Sequence, residues 1–189
     1  MQKNQSLAFI SRNFVGNCGE LWGEMCIFAS ELTLIKEVHM RFLGNIEAKI
    51  DAKGRAFLPA VFRKILLADS EEHIILRKDV FQPCLVLYPE SEWNEQTDAL
   101  RQRLNRWNKQ HQQVFRQFVS EVEILTLDGN GRFLIPKRYQ RMADISQDIK
   151  FVGMGDTIEI WSTTKAEEHK MKPEDFEAAL EELMSPEEE

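Results

Sequence analysis

The chain has 189 residues, of which 43% are hydrophobic and 29% are charged. These proportions allow a sizeable buried core and exclude wholesale disorder. The apolar runs are only a handful of residues long, far short of the roughly 20 that a transmembrane helix needs. Three cysteines without close paired spacing favour neither a disulfide framework nor a thiolate metal site, and they point to a reducing compartment.

The net charge of −7 taken alone argues against nucleic acid as a partner. The distribution of the charge changes that conclusion. Residues 166–189 hold ten acidic residues and two lysines, whereas the other 165 residues hold 22 basic and 21 acidic ones. The acidity therefore belongs to the tail, and local clustering of cations has to decide whether the body binds DNA.

The first 39 residues lack a sustained helical or strand period. A secretory signal is not indicated, because Arg12, Asn17 and Glu20 interrupt the apolar stretches. Regular patterning begins abruptly at Met40. We expect residues 1–39 to be either a poorly ordered extension or a stretch upstream of a working start at Met40.

An internal repeat is the most informative feature of the chain. The segment 50–59 recurs as 127–136, an offset of 77 residues, with Asp, Gly, Arg and Pro in register. Each copy predicts strand, turn, strand, short helix, strand, turn, strand. Neither copy has enough apolar surface to close a core alone, so we expect the two copies to pack against each other.

The predicted elements follow in chain order. In the first copy they are strands over 46–50, 74–76 and 85–88 and a helix over 60–68. In the second copy they are strands over 122–124, 151–152 and 158–161, a helix over 137–143, and a hairpin turn at 153–155. Between the copies, 89–120 predicts one amphipathic helix or two with a break near Asn108, whose apolar stripe needs cover from the repeats or from another subunit. The segment after Pro173 is again amphipathic.

The repeated turns carry the candidate site. An Asp in such a turn accepts hydrogen bonds from turn amides, a Gly accepts positive φ, and a Pro at a helix start loses no hydrogen bond. These turn-supporting residues are Asp51, Gly54 and Pro59 in the first copy and Asp128, Gly131 and Pro136 in the second.

Cations cluster at and after the turns. An Arg fork suits guanine O6 and N7 or a phosphate, and Lys adds a point charge. The alternative is that each turn Arg bonds the Asp four positions earlier and only fixes the turn; the two roles are compatible. The candidate DNA-binding residues are Lys53, Arg55, Arg63, Asn130, Arg132 and Lys137.

Catalysis is poorly supported. The four histidines are scattered, and none lies in a recognisable nucleophile arrangement. Metal-ligand spacing and a glycine-rich phosphate loop are both absent from the sequence. We predict a protein that is not an enzyme and that needs no cofactor, metal or small-molecule substrate.

The paired Asp-x-x-Gly-Arg-x-x-x-Pro units resemble the MraZ family, whose members carry two AbrB-like (SpoVT-AbrB) units in one chain. The resemblance covers roughly residues 40–165, including the opening Phe42-Leu43-Gly44 and the segment 84–89. It implies an α+β fold in which two β-rich repeats form a tandem AbrB-like swapped-hairpin β-barrel, with short helices and an amphipathic helical segment between the repeats.

The same resemblance implies a homo-oligomeric ring that binds double-stranded promoter DNA in the cytoplasm, at the nucleoid, with no membrane partner. Its usual target includes the family's own operon in the division and cell-wall gene cluster. The family's Asp-x-x-x-Arg motif falls on Asp51 with Arg55 and on Asp128 with Arg132. The second copy has Asn130 where the first has Lys53, and Gln140 where the first has Arg63, which predicts a weaker DNA-facing charge in the second copy.

The predicted organisation has five segments and one main function. The segments are an extension (1–39), a first repeat (40–92), a helical connector (93–120), a second repeat (121–165) and an acidic amphipathic tail (166–189). The function is that of a DNA-binding transcriptional regulator, most readily a repressor. The alternative is a ring-forming interaction scaffold in which the Arg turns contact protein.

Overall fold

The structure is a computed structural model and describes residues 41–185. The extension predicted over 1–39 lies outside the described residues. The first copy forms β1 (Phe42–Lys49), β2 (Arg55–Phe57), α1 (Ala60–Ala68), β3 (Ile74–Lys78) and β4 (Leu85–Pro89), and is followed by α2 (Glu90–Arg103) and α3 (Lys109–Ser120). The second copy forms β5 (Val122–Leu125), β6 (Arg132–Leu134), α4 (Lys137–Met142), β7 (Asp148–Gly155) and β8 (Ile158–Ser162), and is followed by α5 (Thr163–Glu168) and α6 (Pro173–Met184).

The strands are exchanged between the two copies. Six of them form an antiparallel sheet in the order β1-β7-β8-β4-β3-β5, and β2 pairs with β6 in a separate two-stranded ribbon. The first strand of each copy pairs with the third strand of the other, β1 with β7 and β5 with β3. Exchanging the copies reverses the strand order onto itself, which is the signature of a pseudo-twofold arrangement. The mixed α+β fold with swapped strands is therefore confirmed.

The period of two along the central strands divides the apolar side chains between the two faces of the sheet. Ile74 and Leu76 of β3 belong to the main core, together with residues of the β2–β6 ribbon, α1 and α4. Ile75 of the same strand faces the other side, where it joins a smaller cluster with Tyr88 and Trp161. The main core draws on both copies, so neither copy is closed without the other.

The connector breaks where the sequence predicted, since the Asn108 side chain accepts hydrogen bonds from the first amides of α3. Its apolar stripe is only partly covered. Trp93 stacks on Phe118 with ring centroids 5.2 Å apart and meets Tyr88 edge-on, which fixes the base of the two helices on the sheet. At the far end, however, the side chain of Trp107 is 96% exposed.

The predicted hairpin turn at 153–155 is wrong. Strand β7 continues to Gly155, and the turn lies at Asp156 and Thr157, where the Met154 amide donates to the Thr157 carbonyl at 2.9 Å. Gly153 pairs with Gly44 inside the β1–β7 ladder instead. A Cβ at Gly153 would lie 2.4 Å from the carbonyl carbon of Phe42, so this glycine permits close strand approach rather than a turn.

Over residues 41–185, none of the helices combines the length and the apolar character that a membrane span requires.

Candidate nucleic-acid interface

The first repeated turn is built around the carboxylate of Asp51. Its Oδ1 atom accepts hydrogen bonds from the backbone amides of Lys53 and Arg55, both at 2.9 Å. Its Oδ2 atom accepts from Nε of Arg55 at 2.8 Å and lies 2.7 Å from Nη2 of the same side chain. Gly54 completes the turn at φ +84°, a conformation that favours glycine.

The second turn repeats the two backbone hydrogen bonds and the Nε hydrogen bond of the first. Oδ1 of Asp128 accepts from the amides of Asn130 (2.9 Å) and Arg132 (3.0 Å), and Oδ2 accepts from Nε of Arg132 at 2.8 Å. Gly131 has φ +79°. Both copies therefore form the same kind of Asp-stabilised turn from the same repeated residues.

The two carboxylate oxygens of each turn Asp bind different groups. This difference bears on the alternative that the turn Arg only fixes the turn. Oδ1 holds the backbone without help from the Arg side chain. Oδ2 orients the guanidinium and occupies only part of its five N–H donors. Among residues 41–185, Nη1 of Arg55 and both Nη groups of Arg132 have no hydrogen-bond partner. Each Arg is thus held in place with donors left over for an external acceptor.

The β2–β6 ribbon brings the two turns together. Arg55 lies opposite Leu134, and Phe57 lies opposite Arg132. The intervening Ala56 is fully buried, so the period of two turns all four of these residues outward. The two arginines are diagonal neighbours across the ribbon, about 7–8 Å apart in backbone position.

The outward face of the ribbon also carries two apolar side chains that were not predicted from the sequence. Phe57 is 56% exposed and Leu134 is 50% exposed, and the guanidinium carbon of Arg132 lies 5.5 Å from the centroid of the Phe57 ring. Their alternation with buried Ala56 was the available signal. It was too short to stand out, because β2 has only three residues.

The equivalent helix residues Arg63 and Gln140 each lie beside the turn of the other copy, but only Arg63 hydrogen-bonds to it. Nη1 of Arg63 donates to the carbonyl of Asn130 at 3.0 Å, and a Cβ on Gly131 would collide with the Arg63 side chain. The equivalent Gln140 donates to the carbonyl of Ile135 at 2.6 Å and lies against Gly54. Each turn is therefore flanked by a side chain from the opposite copy.

This crossing alters the charge expected at each turn. The first turn has Lys53 and Arg55 with the neutral Gln140 beside it. The second turn has Asn130 in place of the lysine but receives the guanidinium of Arg63 beside Arg132. Both turns therefore carry two cations. The expected weaker positive charge at the second turn does not follow, because Arg63 of the first copy lies beside it.

The remaining predicted residues support or flank the turns. Pro59 and Pro136 immediately precede α1 and α4. Lys137 is the first residue of α4 and is exposed. The structure thus brings the turn residues of both copies, Arg63 and Lys137 to the same end of the described fold, around the ribbon. Among the described residues, no group of three or more His, Cys, Asp or Glu side chains is arranged to hold a metal ion.

The ion pair in the first turn depresses the pKa of Asp51 to about 2, from an ordinary value of 3.8. The hydrogen bond from the Arg55 side chain is the largest cause, followed by that from the Arg55 amide. The pKa of Asp128 is also lowered, chiefly by the Arg132 amide. Because the folded-state pKa is depressed, the ionised carboxylate stabilises the fold above about pH 4, and this contribution is lost as the pH falls towards 2.

We therefore expect Asp51→Asn to lower stability near neutral pH, with a difference from the wild type that shrinks as the pH falls from 4 to 2. Urea unfolding at a series of pH values measures this. Asp98→Asn, on the outer surface of α2, is the matched control and should show little difference at any pH. If the difference in free energy of unfolding between Asp51→Asn and the wild type stayed constant down to pH 2, the role of the ionised turn carboxylate would be contradicted.

The duplicated, strand-exchanged units with paired Asp–Arg turns define a tandem SpoVT-AbrB-like protein. The model of the MraZ protein family matches residues 41–117 and again residues 118–185. The chain belongs to the MraZ family.

Three similar proteins share one name. The "Transcriptional regulator MraZ" of Phocaeicola vulgatus is 66% identical over 145 residues, which are 77% of this chain and 94% of that protein. Its namesake in Bacteroides fragilis is 62% identical over 148 residues, 78% of this chain and 94% of its own length. A more distant one, from Christiangramia forsetii, is 34% identical over 146 residues, 77% and 94% of the two chains.

Proposed function

We propose that this protein is a sequence-specific DNA-binding transcriptional regulator that acts as a homo-oligomeric ring on double-stranded promoter DNA. The promoter of its own division and cell-wall operon is the expected target, with repression as the expected effect and the nucleoid as its place of action. The names of the relatives support the regulatory role.

The observation that carries this proposal is the outward face of the β2–β6 ribbon. A two-stranded ribbon is one of the few elements that fit the major groove of B-DNA. This ribbon presents two oriented arginines, and an Arg fork makes bidentate contacts with guanine O6 and N7. The exposed Phe57 and Leu134 beside them suit apolar contact with thymine methyl groups.

Assembly would supply the affinity that one subunit lacks. A body of net charge +1 outside the tail, with about four cations at the turns, is expected to bind DNA weakly as a single chain. Linking several such sites raises affinity through effective concentration without any new type of contact. A ring would also engage several evenly spaced recognition boxes together.

A salt titration of binding to the DNA upstream of the gene, against scrambled DNA of equal length, tests the function. We expect a preference for the upstream DNA that persists at moderate salt, with affinity falling steeply as salt rises. Equal and salt-labile binding to both DNAs would reduce the site to a nonspecific basic surface. Binding to neither would contradict the proposal and favour the scaffold alternative.

The placement of Arg63 gives a second test. We expect Arg63→Gln, which copies the residue found at the equivalent position 140, to weaken DNA binding and to reduce the salt slope by about 0.9 for each phosphate that is no longer neutralised. Because the Arg63 hydrogen bond is exposed, stability should change by no more than about 0.5 kcal/mol. Arg103→Gln, at the end of α2, is the control and should bind DNA like the wild type. An unchanged salt slope for Arg63→Gln would remove this residue from the interface.

The scaffold alternative keeps one favouring observation, the exposed apolar side chains of the connector and of α6. Under that alternative the Arg turns contact protein, so that replacing Arg55 would break the assembly itself. Under the regulator proposal the same change spares the assembly and removes DNA binding. Measuring both properties on one variant therefore separates the two functions.

A further inference from the structure

The last described helix, α6, has an apolar stripe that nothing in the described fold covers. Phe176, Leu180 and Leu183 recur at spacings of four and three, which places them on one face of the helix. Leu183 is 82% exposed and none of the residues of α6 is buried. An exposed stripe of this kind on a regular helix is typical of a surface that binds a partner.

Carboxylates surround this stripe. Residues 173–184 contain five acidic side chains and no basic one. At 100° per residue, Glu177 flanks the stripe on one side, and Asp175 and Glu182 flank it on the other. The partner surface must therefore be apolar in its middle and positively charged at its rims.

The connector offers such a surface. A groove of about 420 Å³ lies between α2 and α3, with Leu104, Phe115 and Val119 along its apolar part. Three arginines and no carboxylate line the same groove, and the guanidinium carbon of one of them, Arg101, lies 4.4 Å from the centroid of the Phe115 ring. The arginines of the lining are Arg101, Arg106 and Arg116.

We propose that the α2–α3 groove of one subunit binds α6 of a second copy of this chain. The helix would lay its Phe176–Leu180–Leu183 stripe on the apolar part of the groove, with its flanking carboxylates facing the arginines. The match of both apolar pattern and charge favours this occupant over the DNA backbone. Phosphates would make no apolar contact with Phe115 and Val119 and would leave α6 uncovered.

The geometry of such an interface bears on assembly. The groove and the helix are different surfaces of the same chain, so the interface is heterologous, and repeating it around an axis closes a ring or extends a filament. This inference deepens the self-association within the proposed function and rests on that part alone. Its tests need no DNA, so it can fail while the DNA-binding proposal stands.

Two matched pairs of variants in the full chain test the interface by light-scattering mass. Leu180→Glu, in the stripe, and Arg116→Glu, in the groove, are each expected to convert the assembly to single chains of 22.1 kDa. Ala178→Glu adds the same charge to the opposite face of α6, and Arg103→Glu reverses a charge outside the groove lining. Both controls should assemble like the wild type. All four sites are exposed, so circular dichroism and the melting temperature should stay within a few degrees of the wild type.

A photo-reactive amino acid at position 180 identifies the occupant directly. We mix isotopically labelled and unlabelled chains, irradiate the assembly and map the joined peptides by mass spectrometry. Labelled–unlabelled links to residues 101–119 are the expected result. Links within one chain, or to residues elsewhere, would overturn the proposal.

The remaining outcomes also decide the matter. An assembly that survives both Leu180→Glu and Arg116→Glu would overturn this interface while leaving self-association intact. A wild-type protein of single-chain mass would overturn the interface and the ring together, without touching DNA binding by the turns. Loss of DNA binding by Arg116→Glu at unchanged assembly mass would assign the groove to phosphates, and the proposal would fail.

Discussion

Replacing Arg55 by alanine is expected to abolish preferential binding to the upstream DNA while the protein stays folded and assembled. An Arg that reads a guanine contributes about 1–3 kcal/mol of discrimination, which corresponds to about 5- to 150-fold in affinity at each engaged site. In an assembly that engages several sites at once, these reductions multiply, because the linked sites depend on one another through effective concentration. The fold should tolerate the change, since Oδ1 of Asp51 holds the turn through backbone amides that the substitution leaves in place.

Arg55→Lys and Arg132→Ala sharpen this measurement. A lysine keeps the charge but lacks the planar fork, so Arg55→Lys should retain salt-labile affinity for any DNA and lose the preference for the upstream sequence. Arg132→Ala removes the equivalent group of the second turn and should weaken binding to a similar extent. Binding by fluorescence anisotropy, with assembly mass measured on the same samples, checks both. Full preference retained by Arg55→Ala would refute the site, and loss of assembly by that variant would move the turns to a protein interface.

Much of this fold could be predicted because the sequence contains the same structural pattern in two copies. The alternation of apolar residues, the turn residues and the helix-starting prolines agree at each level, and the second copy checks the first. The helix over 60–68 and the break at Asn108 both follow from local rules of capping and periodicity, and both are present. Elements predicted from such local rules are present in the folded chain because no tertiary contact opposes them.

The errors and omissions concern contacts between segments distant in sequence. Gly153 resembled a turn residue because glycines often mark turns, yet its role depends on a strand more than a hundred residues earlier. Arg63 was grouped with its own turn by sequence distance, whereas strand exchange places it at the other one. Phe57 and Leu134 were not predicted because two short strands acquire an outer face only when they pair. Strand exchange is therefore what sequence spacing could not reveal.

The close approach of β1 and β7 makes Gly153→Ala the substitution with the largest expected effect on stability. The new methyl would lie 2.4 Å from the carbonyl carbon of Phe42, 2.5 Å from its oxygen and 2.6 Å from the amide nitrogen of Leu43. All three atoms are backbone, so no side chain can rotate away, and β1 itself must move. We expect the free energy of unfolding to fall by about 3 kcal/mol, at the upper end of the range for overpacking, and the melting temperature to fall by about 6 to 12 °C.

The matched control for this glycine is Gly129→Ala. A Cβ at Gly129 meets no atom within 4 Å, and the first copy already has alanine, Ala52, at the equivalent position. Urea unfolding of the two variants should therefore separate them by most of the expected difference of about 3 kcal/mol. Because β1 leads directly into the Asp51 turn and β5 into the Asp128 turn, Gly153→Ala should also disturb the Asp51 turn more than the Asp128 turn. Equal stability of the two variants would mean that β1 and β7 can separate with no loss of free energy of unfolding. Strand exchange would then not be what holds the two copies together.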